Sequence, residues 1–338
     1  MRILEKSMVN LKQYSKGFVL LTGLIILMAH QVEAQQLPLY SQYMMNRFLI
    51  NPAVAGSEGY TAFNLTAREQ WIGLENSPKT HAFSAQTRIL RKSFISKGAS
   101  VKRKSTSSSR SGKVGIGGYI FNDQSGLVNR TGLQLTYAYH ISFRRGQLSF
   151  GLSGSFYQFR VDKEKMILYD PDDDLINNFN NRLWVPDANI GVYYSDPRMY
   201  AGLSVSDLFQ ASFKFGQEGY DNFRLLRHYY AIGGYNFELN DYLIFEPSVL
   251  IKASEVWSFQ ADITAKMYIY DNYWAGLSYR TGGALIIMGG LRVDKFFFGY
   301  AFDYTLSSIQ RHSFGSHEFI LAVKLGDTAR RYKWLIRY

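Results

Sequence analysis

Residues 131–143 read TGLQLTYAYHISF. Leu133, Leu135, Tyr137, Tyr139, Ile141 and Phe143 fall on one face of an extended chain, and Gln134, Thr136, His140 and Ser142 on the other. Strict alternation of this kind predicts a β-strand with one apolar and one polar surface. Its neighbour repeats the pattern: within 149–160, Phe150, Leu152 and Phe156 oppose Ser149, Ser153 and Ser155. Further along, Trp257, Phe259, Ile263 and Met267 oppose Gln260, Asp262, Thr264 and Lys266, and Phe296, Phe298, Tyr300, Phe302 and Tyr304 share one side. The runs exceed the usual soluble strand of about 5–6 residues and match what a tilted strand needs to cross a bilayer.

Extending the pattern predicts strands at roughly 59–71, 80–91, 113–122, 131–143, 147–160, 187–195, 199–207, 227–237, 242–253, 256–268, 272–281, 284–292, 295–304 and 316–325. The expected fold is all-β, a transmembrane antiparallel barrel of about 14 strands, and an even count is what bacterial barrels prefer. With both termini on the periplasmic side, the long gaps 161–186, 208–226 and 305–315 all face outward, and tight gaps such as Arg144–Gly146 and Asp196–Arg198 face inward. Long outer loops with short periplasmic turns are the expected asymmetry.

Composition agrees. The 338 residues include 25 Tyr, 24 Phe and 29 Gly, and only 19% are charged. Mean hydropathy is −0.17, too low for a bundle of apolar helices. The absence of Cys excludes disulfides, thiolate metal sites, a Cys nucleophile and lipid attachment at a Cys. The formal charge of +11 suits anionic surfaces or acidic partners, and no nucleic-acid-binding motif accompanies it.

Residues 1–34 read as a secretory signal. Four basic residues precede the apolar run Phe18–Ala29, and Val32-Glu33-Ala34 ends in a small residue before Gln35. The expected organisation is a signal peptide over 1–34, an N-terminal plug or periplasmic segment over 35–58, the barrel over 59–325 and a basic tail over 326–338. Segment 35–58, rich in aromatics, Met and Asn, suits the lumen of a barrel wide enough to hold a plug. The tail alternates Tyr332, Trp334, Ile336 and Tyr338, so it reads either as an extra strand or as an extension. Residues 91–113 are basic and Ser-rich, the composition of a disordered insertion or of a docking segment for a periplasmic partner.

Few constellations carry chemistry. Asp170, Asp172, Asp173 and Asp174 cluster in the long loop after the fifth strand, where carboxylates suit Ca²⁺, but the spacing departs from an EF-hand loop and a solvated acidic loop is the plainer reading. Gly115-Ile116-Gly117-Gly118 lies within a strand, not between strand and helix, so it is no phosphate loop. His312 with Asp303 is the one pair that a hydrolase reading could use. The polar phase of the strands places Arg68, Arg88, Glu246, Lys252, Asp262, Lys266, Arg280 and Asp303 along the lumen, where mixed charges pair and hold a barrel in shape. Neither a metal site, a cofactor nor a catalytic group is expected.

Residues 40–56 read YSQYMMNRFLINPAVAG. Ser41, Gln42, Tyr43, Met44 and Asn46, followed by Asn51, Pro52, Ala53, Ala55 and Gly56, closely resemble the opening S-Q-Y-M-x-N and N-P-A-x-A-G motifs of the PorP/SprF family of type IX secretion system membrane proteins of Bacteroidota. Arg68-Glu69-Gln70-Trp71-Ile72-Gly73, Asn122-Asp123 with Gly126, Asp170-Pro171-Asp172, Gly299–Tyr304 and Gly315-Ser316-His317-Glu318 continue the resemblance in order to about residue 325. The insertion at 91–113 and the basic tail depart from the family's pattern. The resemblance implies an outer-membrane barrel without catalytic residues that serves type IX secretion or gliding. Its implied partners are a large secreted surface adhesin or other secretion components, with periplasmic lipoproteins as neighbours. On that reading the expected contact surfaces are the outer loops 161–186 and 208–226 and the N-terminal segment, with Ser41, Gln42, Tyr43, Met44, Asn46, Asn51, Pro52, Asp170, Asp172, Asp173 and Asp174 as contact residues. A diffusion barrel for small solutes is the alternative, and it requires an open lumen.

Overall fold

The computed structural model describes residues 40–89, 113–162, 182–210, 212–214, 222–256, 258–270 and 272–325. All belong to the compact unit Leu37–Tyr338. The expected signal peptide, the basic insertion over 91–112, the acidic cluster at 170–174 and the tail over 326–338 lie outside these residues.

The strands are β1 (Thr61–Glu69), β2 (Lys79–Ile89), β3 (Val114–Ser125), β4 (Val128–Ser142), β5 (Gln147–Val161), β6 (Arg182–Ser195), β7 (Met199–Ser206), β8 (Ser212–Lys214), β9 (Asn222–Arg224), β10 (His228–Tyr235), β11 (Phe237–Asn240), β12 (Leu243–Ser254), β13 (Phe259–Ile269), β14 (Tyr273–Arg280), β15 (Ala284–Val293), β16 (Phe296–Thr305) and β17 (Ser316–Leu325). Fourteen of them form a closed antiparallel barrel. Within it β10 pairs with both β7 and β12, and β1 pairs with β17 from Thr61↔Leu325 to Glu69↔His317. An even count is what lets the first and last strands meet antiparallel. Strand β17 closes the barrel against β1.

The pattern of burial inverts that of a soluble protein. Leu135, Leu152, Leu203 and Ile263 are 63%, 56%, 64% and 58% exposed, whereas Gln134, Ser153, Ser204 and Thr264 between them are buried. Such an apolar band is stable only against hydrocarbon. Ten residues at about 3.3 Å each cover the bilayer core with room for tilt. No helix among the described residues is long and apolar enough to cross a membrane; it is the apolar outer face of the strands that suits the bilayer.

Some boundaries differ from the sequence reading. Strand β3 runs to Ser125, past the expected end at 122, because Asn122, Asp123 and Gln124 still pair with Thr131, Arg130 and Asn129. Strand β6 begins at Arg182 rather than 187, with Pro186 held opposite Phe156 despite its missing N–H. Strand β13 begins at Phe259 rather than 256, because the Ser254 N–H bonds the Ser258 carbonyl and closes a turn there. The expected loop 208–226 contains the hairpin β8–β9, and β11 extends the β10–β12 pairing beyond a bulge near Glu238.

Candidate functional site

The chain from Tyr40 to Gly56 makes two short 3₁₀ turns, Arg47–Leu49 and Pro52–Val54. The local sequence dictates the second. Asn51 caps it by accepting the Ala53 N–H at 2.9 Å, and Pro52 occupies the first position, where its missing N–H costs nothing. Ser41, Gln42, Tyr43, Phe48, Asn51, Ala53 and Ala55 are almost wholly buried. What buries them is the polar inner wall of the strands.

The Glu318 carboxylate on β17 accepts two successive backbone N–H groups, from Ser41 at 2.7 Å and Gln42 at 2.8 Å. The Ser41 hydroxyl donates to Asp303 at 2.7 Å and accepts from Arg68 at 2.7 Å. Arg68 also reaches Asp303 at 2.7 Å and Glu318 at 3.2 Å. Arg280 grips Asp262 with two nitrogens, Nε to Oδ1 at 2.9 Å and Nη2 to Oδ2 at 2.7 Å, and touches Asp303 at 3.3 Å. Two guanidinium groups thus face three carboxylates. The extra negative charge is met by the two N–H groups and the hydroxyl of the opening motif. Buried ions tolerate this only when their lone pairs are satisfied, which makes the motif part of the charge balance of the wall.

A second cluster forms around Arg47. Its guanidinium lies 3.7 Å from the centre of the Tyr200 ring, donates to the Tyr193 hydroxyl at 3.1 Å and approaches Glu246 at 3.6 Å. Glu246 in turn pairs with Lys266 at 3.0 Å and accepts from the Tyr200 hydroxyl at 2.9 Å. Tyr43 reaches Ser248 at 3.2 Å and Thr264 at 3.4 Å, and burial pushes its hydroxyl pKa up to about 12.

Beyond Arg47 the contact is with strand glycines. The Asn51 amide donates to the carbonyls of Val192 and Leu203, at 3.0 and 3.1 Å, and so stitches β6 to β7. A methyl group on Gly191 would meet Asn51 Oδ1 at 2.1 Å, one on Gly151 the Ala53 nitrogen at 2.2 Å, and one on Gly115 the Ala55 carbonyl at 2.0 Å. These three positions must be glycine for the turn to lie flat on the wall. His140 bridges Ser149 and the Ala55 carbonyl at 2.8 and 3.0 Å, and Ser204 donates to the Ile50 carbonyl at 2.8 Å.

The expected wall residues thus divide. Arg68, Arg280, Asp262 and Asp303 meet in one network, and Glu246 and Lys266 in the other. Arg88 stands apart and donates to Gln147 at 2.6 Å. Lys252 is half-buried on the same inner face. Ser41, Gln42, Tyr43, Met44, Asn46, Asn51 and Pro52 all line the inside, with Asn46 donating to Ser84 at 3.1 Å. Asp170, Asp172, Asp173 and Asp174 lie outside the described residues. His312 is exposed, and Oδ2 of Asp303 is held by the two arginines and Ser41. Among the described residues no group of three or more His, Asp or Glu could hold a metal ion.

Sequence reasoning missed Glu318 as the central acceptor, Arg47, His140 and the three glycines. The glycines were legible: each falls on the inward phase of its strand, where a packed lumen rarely leaves a gap.

The sequence profile described as type IX secretion system membrane protein PorP/SprF matches residues 32–323. Comparison with curated proteins finds no match. Among solved structures the chain is similar to the toluene transporter TodX of Pseudomonas putida, with 10% identity, 82% of this chain and 91% of that one covered, and a TM-score of 0.39. CdiB from Acinetobacter baumannii gives 9% identity, coverage of 78% and 60%, and a TM-score of 0.39. The NanC porin gives 6% identity, coverage of 78% and 98%, and a TM-score of 0.34.

Proposed function

Because the chain belongs to the PorP/SprF family of type IX secretion system membrane proteins, we propose that it is the outer-membrane barrel through which that machinery exports or anchors a large cell-surface adhesin. The family match over nearly the whole barrel carries this reading. Family and membrane-barrel fold together point to the outer membrane, and a signal peptide over 1–34 is the route there. The contact surfaces for the adhesin are the outer loops around 161–186 and 208–226, including the Asp170–Asp174 carboxylates. On the periplasmic side, the neighbours are other secretion components and lipoproteins, with the basic segment 91–113 as their docking point.

Residues 40–58 act in this reading as a plug. The bonds from Ser41, Gln42, Tyr43, Asn46 and Asn51 to strands on every side of the barrel support it. The same contacts weigh against free diffusion of solutes, which needs an open lumen. The protein works by holding and guiding other proteins, not by bond chemistry.

Affinity purification of the tagged barrel from gently solubilised outer membranes tests the proposal. Co-purification of a very large secreted adhesin or of type IX components is expected, together with loss of that adhesin from the surface of a deletion strain. A barrel that purifies alone, in cells that still display the adhesin after deletion, overturns it.

A further inference from the structure

The opening segment has a direction inside the barrel. At one end of the barrel the strands are joined by tight turns. The Phe143 N–H bonds the Gly146 carbonyl at 2.7 Å between β4 and β5, and the Asp196 N–H bonds the Met199 carbonyl at 2.9 Å between β6 and β7. Strand β1 starts at this end: Thr61 pairs with Leu325, and the Lys324 N–H bonds the Lys295 carbonyl in the turn between β15 and β16. The far end carries the longer connections, among them 70–78, 162–181, 207–227 and 306–315.

Successive residues of the opening motif meet the wall at successive depths. Ser41 and Gln42 bond Glu318, the third residue of β17. Ser41 also bonds Asp303, third from the end of β16, and Arg68, next to last in β1. All three partners lie near the far end. Tyr43 meets Ser248 and Thr264, and Asn46 meets Ser84, each at the middle of its strand. Arg47 meets Tyr193 and Tyr200, which flank the tight turn between β6 and β7. The chain then crosses the tight-turn end. The Ala55 carbonyl accepts from His140 near the end of β4, and Gly56 packs on Gly115, the second residue of β3. From there it enters β1 at Thr61. Read from Ser41, the chain therefore descends the lumen from the far end and turns back up as β1. Three residues span about 10 Å, so Leu37 is within reach of the far rim.

We propose that the chain is threaded through its own barrel, so that its amino-terminal side is presented at the far end, on the cell-surface side, where a protein outside the cell can hold it. Long loops mark the outer end of a bacterial barrel and tight turns the periplasmic end. The ends of the barrel itself, Thr61 and Leu325, stay together on the periplasmic side, and only the segment before them is reversed. A periplasmic partner meets the tight-turn end instead, where Arg47 and the chain after it lie. The inference rests on the outward orientation of the long loops and is independent of the cargo.

The sequence has no Cys, so single thiols can be placed in the full chain without background. Leu37→Cys reports the amino-terminal side. Glu75→Cys, exposed in the connection after β1, reports the far end, and Arg145→Cys, exposed in the turn after β4, reports the tight-turn end. Cells are treated with a membrane-impermeant maleimide, intact or permeabilised, and heat-modifiable migration on gels confirms that each variant is a folded barrel. Leu37→Cys is expected to label in intact cells to the same extent as Glu75→Cys, and Arg145→Cys to label only after permeabilisation. Labelling of Leu37→Cys that follows Arg145→Cys, or that fails in both states, overturns the threading. If Leu37→Cys and Glu75→Cys both wait for permeabilisation while Arg145→Cys labels in intact cells, the barrel stands the other way up, and the cell-surface assignment is overturned with the threading intact.

Discussion

The carboxylate of Glu318, near the start of the last barrel strand, accepts the backbone N–H of Ser41 at 2.7 Å across 277 residues. A single side chain therefore joins the strand that closes the barrel to the segment inside it. Because Glu318 also binds Gln42 and Arg68, its loss leaves a buried guanidinium short of one partner and two buried N–H groups with none. Removing one member of such a buried set costs about 3–5 kcal/mol. Glu318→Ala is expected to lower the urea midpoint of the purified barrel accordingly and to expose the bond after Arg47 to trypsin. Wild-type trypsin resistance in the variant would show that Glu318 does not hold the segment.

The glycine contacts give an independent check on the other half of the segment. Gly151→Ala puts a methyl group 2.2 Å from the Ala53 nitrogen, and Gly191→Ala puts one 2.1 Å from Asn51 Oδ1. Gly151 faces backbone of Pro52 and Ala53, and Gly191 faces the Asn51 amide and the Pro52 ring, the groups that cap and open the turn, so the turn must lift off the wall, at a cost of about 1–3 kcal/mol each. Gly154→Ala, on the same strand as Gly151, meets nothing within 4 Å and should leave stability unchanged. Equal midpoints for Gly151→Ala and Gly154→Ala would refute the packing of Ala53 on β5.

These two sites show what the sequence disclosed and what it concealed. Barrel strands announce themselves because lipid demands an apolar residue at every second position, as from Leu133 to Phe143. The same alternation placed Arg68, Asp262, Arg280 and Asp303 inside. It could not say which charges meet, because Arg68 and Asp303 are 235 residues apart and become neighbours only through closure of β1 on β17. Glu318 was hidden for the same reason. It sits on the inward phase like its neighbours, but its role depends on two N–H groups from the far end of the chain. The extended ends of β3 and β6 escaped notice because Asn122, Asp123 and Pro186 have turn chemistry locally, overridden here by pairing with strands already in place.

Glu58 supplies a pH signature. It lies after the second 3₁₀ turn and before the first strand. Burial pushes its carboxyl pKa up, but Lys324, Arg47 and the Tyr60 hydroxyl outweigh burial and hold it below the ordinary carboxylate value. A pKa lower in the folded than in the unfolded state stabilises the fold above the unfolded value, about 4.3, and that contribution is lost as pH falls through the folded value. Glu58→Gln should therefore flatten the acid limb of the stability curve below about pH 4.3. Parallel curves for wild type and variant below that pH would exclude a contribution from Glu58.

The state of the lumen is open to electrical measurement. The opening motif is bonded to strands around the whole circumference, from Glu318 and Arg68 through Ser84 and His140 to Val192, Ser204 and Thr264. A barrel of about 14 strands is wide enough to conduct when empty. Wild-type protein in planar bilayers should show little ion current. The double variant Glu318→Ala with Gly151→Ala loosens the motif near each of its ends without shortening any strand, so it should conduct in discrete steps. If the wild type already conducts at the level of the variant, residues 41–56 leave a path beside them, and the small-solute reading gains over the proposed plug.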